Sequence, residues 1–141
     1  MNYANQADML AAFGVRELTM LTDRALSGSL DTAVLATALD EANAEVDAFL
    51  QGRYALPLAS VPRLLTRICC DIARYRLCGG DAQETEPVRN RYRDAHRILE
   101  KIKDGELTLG LDASQQEVGT RSTIRIQDGR RTFGRDALAD Y

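Results

Sequence analysis

One histidine, His96, and three cysteines, Cys69, Cys70 and Cys78, are the side chains best suited to nucleophilic or metal chemistry. A Ser or Cys nucleophile needs a neighbouring base, and His96 is the only imidazole available. It lies beside Asp94 and Arg97 on a strongly charged stretch, which predicts a solvated surface residue. No CxxC or HxxxH spacing occurs, so a tetrahedral metal site lacks its ligands. Neither a G-x-G-x-x-G turn nor a Walker loop is present. The sequence therefore predicts no enzyme, no metal and no cofactor.

The cysteines form a poor disulfide framework. Cys69 and Cys70 are adjacent and point different ways around a helix. Cys70 and Cys78 stand ~12 Å apart along one, too far to bridge. Reduced, buried thiols in a cytosolic protein are expected.

The chain has 141 residues, the size of one ordinary domain. With 45% hydrophobic and 28% charged residues it reads as soluble and globular. Its 18 basic and 21 acidic side chains leave a net charge of −3, unlike the basic balance of a dedicated nucleic-acid or membrane-surface binder. No apolar run approaches a bilayer span, and the opening Met1-Asn2-Tyr3-Ala4-Asn5 has no signal-peptide pattern.

The elements that would position these side chains are helical. Asn5 with Asp8 reads as a capping box, followed by a short helix through Phe13 that stops at Gly14. A second short helix is expected over Val15 to Leu21, then a loop to Leu30. Asp31 caps a long helix, Thr32 to Gln51, with Leu35, Leu39, Ala42, Val46, Phe49 and Leu50 inward. Asp40, Glu41, Glu45 and Asp47 take the opposite face. Arg53 to Leu58 must be extended around Pro57. A central helix starts at Pro62 and ends near Cys78, where Gly79-Gly80 stops it; its stripe is Leu65, Ile68, Cys69, Ile72 and Tyr75. Thr85 caps a helix from Glu86 to Lys103 with Val88, Tyr92, Ala95, Leu99 and Ile102 inward, ended by Gly105.

Beyond Gly105 the pattern changes. Leu107, Leu109 and Leu111 alternate, as a short strand or extended arm. Asp112 to Ser122 has little to bury. Thr123 to Ile126 with Asp128-Gly129 is a hairpin signal too small to be stable alone. The expected organisation is a helical domain over 1–111 and an extended linker and docking tail over 112–141. The fold class is mainly α, a bundle of four to five helices with a C-terminal arm that can contain a small β-hairpin.

Charge is unevenly spread: −6 over residues 1–50, +3 over 51–111 and zero over 112–141. An acidic front and a basic middle could meet between copies, or be solvated faces with no partner. Asp71 and Arg74 could pair at i, i+3, as a surface pair or a buried one. Arg53 and Tyr54 beside Pro57 form either an elbow that presents an interface or a loop that packs Tyr54 inward. Phe133, Leu138 and Tyr141, with Arg135 and Asp136 between them, either anchor a partner or fold back on the bundle.

The stretch Ala38-Leu39-Asp40-Glu41-Ala42-Asn43-Ala44-Glu45-Val46-Asp47-Ala48-Phe49-Leu50, the joint Gly52 to Leu58, Val61-Pro62 and Cys70-Asp71-Ile72-Ala73-Arg74-Tyr75-Arg76-Leu77 resemble a known family. So do Leu65, Tyr3-Ala4 before Met9 and Phe13-Gly14, Leu21 to Asp23, Thr132-Phe133, Arg135-Asp136 and Leu138. The family is the Mu-like bacteriophage head–tail joining proteins, once a domain of unknown function, related to head–tail connector (head-completion) proteins. Cys69-Cys70 departs from its usual pair.

The resemblance implies an α-helical adaptor without catalysis, assembled into a homo-oligomeric ring of about twelve copies. It also implies partners: the portal above, and a tail or tail-terminator (stopper) protein below. The place would be the virion neck, reached from the host cytoplasm, with DNA passing through without specific binding and no membrane involved. The alternative is a helical nucleic-acid-binding packaging or regulatory protein, since the helices from Pro62 and Glu86 hold many arginines. The long polar loop between them lacks helix-turn-helix spacing.

Overall fold

A computed structural model describes residues 1–78 and 85–111 as four α-helices. They are α1 (Gln6–Thr22), α2 (Thr32–Leu50), α3 (Arg63–Leu77) and α4 (Glu86–Asp104). The expected Gly79-Gly80 stop, the hairpin and the docking tail lie outside the described residues.

α1 is two short helices joined by a kink. Gly14 sits inside it at φ 79°, ψ 159°, a conformation essentially reserved for glycine. The capping box at its start is complete: Asp8 N–H donates to the Asn5 side chain, and Asn5 N–H donates to Asp8. Asp31 caps α2 by accepting from Ala33 and Val34 N–H. Buried Thr22 links the two helices, its hydroxyl donating to the Leu18 carbonyl and accepting from Asp31 N–H. Between them, Asp23 organises the loop by accepting from Ser27 and Gly28 N–H. Those donors hold its carboxyl below the usual aspartate range.

α3 and α2 each pack against all three other helices, and against each other most extensively. The buried residues of α3 are Leu65, Ile68, Cys69, Cys70, Ile72, Ala73 and Leu77, while Tyr75 is only half-buried. With Met9, Leu18, Leu35, Leu50, Leu99 and Ile102 they form one core. Fully burying such a side chain is worth about 1.5–3 kcal/mol, so this shared face dominates the fold's stability.

Two local expectations are corrected. The joint after α2 does not begin extended: Arg53 and Tyr54 N–H both donate to the Leu50 carbonyl, so it starts as a tight turn. Glu45 and Asp47 are not on a solvated face, because α4 and the N-terminal residues cover them. Of the two readings of Leu107, Leu109 and Leu111, the extended arm is the one seen: the three alternate inward and pack on the core.

Candidate functional site

Three constellations bring polar side chains together. The first is the joint between α2 and α3. Tyr54 is buried, and its hydroxyl accepts from Leu109 N–H at 3.3 Å. Arg53 lies over the Tyr54 ring and donates to the Ile102 carbonyl at 2.7 Å. This pins the joint to the end of α4 and to the segment leaving it. Gly105 makes room: its φ of 86° turns the chain, and a Cβ there would stand 3.0 Å from the Arg53 guanidinium.

The second is a knot around Glu45 of α2. His96 of α4 contacts one carboxylate oxygen, and Arg76 of α3 donates to the other at 2.8 Å. The Tyr92 hydroxyl adds a long 3.4 Å bond. Tyr92 stacks on Tyr75 at 4.0 Å, and Phe49 meets His96 edge-on at 5.5 Å. His96 is thus held between Glu45, Tyr92 and Phe49, which corrects its expected place on the solvated surface. Sequence spacing within α4 showed only its charged neighbours; Glu45 and Phe49 come from α2. The Tyr92 phenol is raised above its ordinary value by burial and by the Glu45 charge.

The third is a cleft of about 610 Å³ between α1, α3 and α4. Ala11, Ala12, Phe13 and Cys70 give it an apolar lining; Arg63, Arg67 and Arg91 stand on its rim. Asp71 contacts Arg91 at 3.8 Å and Arg67 at 4.0 Å, loose distances for ion pairs. Burial outweighs those arginines and raises the Asp71 carboxyl above the usual aspartate range. Arg74, expected to pair with Asp71, instead meets Glu17 at 2.5 Å and stacks over Phe13 at 4.7 Å. It ties α3 to both halves of kinked α1.

An N-terminal strap had no signal in the periodicity. Tyr3 N–H donates to the Asn43 side chain at 2.8 Å, and its hydroxyl to Asp47 at 2.6 Å. Burial and Asp47 raise the Tyr3 phenol. The Met1 amino nitrogen also lies 2.5 Å from Asp47. Buried Asn43 further accepts from the Cys69 thiol at 3.2 Å.

Of the sequence-predicted interface residues, Arg53 and Tyr54 are brought together in the joint, while Phe133, Arg135, Asp136, Leu138 and Tyr141 lie outside the described residues. Among the described residues no group of three His, Cys, Asp or Glu side chains is placed to hold a metal ion. No described helix is long and apolar enough to cross a membrane.

Among the described residues the class is an all-α bundle whose polar side chains lock helices to one another beside an arginine-rimmed cleft. The chain belongs to the bacteriophage Mu Gp36 family, whose model matches residues 3–128. It is 34% identical to the Mu-like prophage FluMu protein gp36 of Haemophilus influenzae, over 99% of this chain and 97% of that protein. It is 39% identical to gene product J of Escherichia phage Mu, over 80% and 79% of the two chains. The Mu-like assignment read from the residues is thus shown.

Proposed function

We propose that this protein is a structural component of a Mu-like virion, a head–tail connector that forms a ring beneath the portal and joins the DNA-filled head to the tail. The observation that carries the reading is the collinear match, nearly end to end, to phage and prophage proteins of one family. The helical body, tied together by side chains, suits a rigid spacer. The ring would be a dodecamer in the virion neck, in contact with the portal on one side and a tail or tail-terminator protein on the other.

In this reading Arg53 and Tyr54 shape an interface elbow, Tyr54 from beneath. Phe133, Leu138 and Tyr141 anchor a neighbour, with Arg135 and Asp136 fixing register. DNA passes without being gripped, because each Lys or Arg engaged with phosphate adds affinity by counterion release. The acidic surplus of residues 1–50 suits a repulsive lumen.

Deleting residues 131–141 in a phage that depends on this protein tests the reading. Heads should fill but fail to join tails. Normal yields of infectious particles would refute a docking tail. Nanomolar duplex binding at physiological salt would instead favour the nucleic-acid-binding alternative.

A further inference from the structure

The cleft between α1, α3 and α4 is lined by residues of all three helices. We propose that it is the receptor for residues 136–141, Asp-Ala-Leu-Ala-Asp-Tyr, of a second copy of this chain. The inference rests on the connector reading, in which copies must join.

Charge is the first argument. Arg63 is exposed and makes no ion pair among the described residues. Arg67 and Arg91 are 74% and 51% exposed and touch Asp71 only at the outer limit of an ion pair. Each guanidinium has five donors, so all three keep donors for incoming carboxylates. Asp136 and Asp140 supply two carboxylates on a hexapeptide without a basic residue.

Shape is the second. The apolar part of the lining is Ala11, Ala12, Cys70 and Phe13; Thr66 and the carboxylates of Asp8 and Asp71 stand beside it, outnumbered by the three arginines, and the volume falls inside the range of about 300–1,000 Å³ usual for ligand clefts. Leu138 and Tyr141 are the large apolar groups of the hexapeptide, and the alanines beside them add little bulk. An apolar anchor ringed by charge-assisted hydrogen bonds is the usual build of a small docking site.

Reach is the third. The 24 residues between Leu111 and Asp136 span at most about 80 Å. A body of residues 1–111 has a radius of gyration of about 13 Å. The segment is therefore long enough to reach the cleft of an adjacent copy.

The test places p-benzoylphenylalanine at Tyr141 in the full chain and illuminates the concentrated protein. Covalent dimers are expected, with cross-links mapping to peptides that contain residues 8–13, 63–71 or 91. Arg63→Glu with Arg67→Glu should lower dimer yield by more than about tenfold, both being exposed positions that the fold does not need. Asp136→Arg with Asp140→Arg, added to that variant, should restore it. Cross-links to other regions or only within one chain, no covalent dimer, or a wild-type yield from the arginine variant would overturn the proposal. Loss of the cross-link to added duplex DNA would also overturn it and make the cleft a phosphate site. Particle assembly is read separately: joined heads and tails with cross-links elsewhere would leave the connector and remove the cleft.

Discussion

Glu45 of α2 and His96 of α4 meet in the half-buried seam between their helices, and the second oxygen of the same carboxylate holds Arg76 of α3. One side chain thus fastens three helices. Glu45 is 13% exposed, so removing it takes the shared acceptor away from Arg76, His96 and the Tyr92 hydroxyl at once. Glu45→Ala should cost about 1–3 kcal/mol in urea unfolding. A change under about 0.5 kcal/mol would reduce the knot to an ordinary surface pair.

Ile72 is fully buried on α3, which like α2 touches every other helix. Ile72→Ala should therefore cost about 2–5 kcal/mol, from lost burial plus the cavity left behind. A nearly unchanged midpoint in chemical denaturation would mean that the α3 core relaxes around the gap.

Two glycines separate backbone strain from crowding. Neither Gly14 nor Gly52 has an atom within 4 Å of where a Cβ would stand, but only Gly14 has a positive φ. Gly14→Ala should cost about 1–3 kcal/mol. Gly52→Ala should be neutral or stabilising by up to about 1 kcal/mol, because it restricts the unfolded chain alone. Equal melting shifts for the two would contradict the kink.

Asp71 gives a pH dependence of unusual sign for a carboxylate. Burial raises its folded pKa against the pull of Arg91, Arg67 and Arg74. The folded state therefore holds the proton at pH values where the unfolded chain has lost it. Stability from this group is present at acid pH and declines as pH rises through the raised value. Asp71→Asn should flatten that decline, which begins above the ordinary aspartate range, and leave the protein at least as stable at neutrality. A less stable neutral variant would show that the arginines outweigh burial.

Burial pushes the Cys69 and Cys70 thiols up to about 12. At pH 8 roughly one in 10⁴ of each would be thiolate, the form that reacts. A thiol-reactive dye should modify both slowly in the native protein and at once after denaturation. Fast native labelling at either position would place a reactive sulfur on the surface.

Much of the fold was legible in the chain because its determinants are local. Asn5 and Asp31 name helix starts by side-chain chemistry, Gly14 and Gly105 name breaks by conformational freedom, and the apolar stripes name inward faces. What escaped depends on partners far along the sequence. Glu45 and Asp47 looked solvated beside Asp40 and Glu41, since nothing in α2 announces the arrival of His96 or Tyr3. The Asp71–Arg74 spacing was right for a pair, but Glu17 and Phe13 compete for the same guanidinium. The cleft is illegible for the same reason: its lining comes from three helices, and no one of them has a motif.

Arg53 and Tyr54 give the departing chain its mooring. Leu109 N–H is bonded to the Tyr54 hydroxyl, and Arg53 holds the last turn of α4 through the Ile102 carbonyl. Tension applied beyond Leu111 is therefore shared between the end of α4 and the turn that follows α2. A pull on the tail loads the middle of the bundle and not one frayed helix terminus, so the body would move as a unit when its tail is drawn.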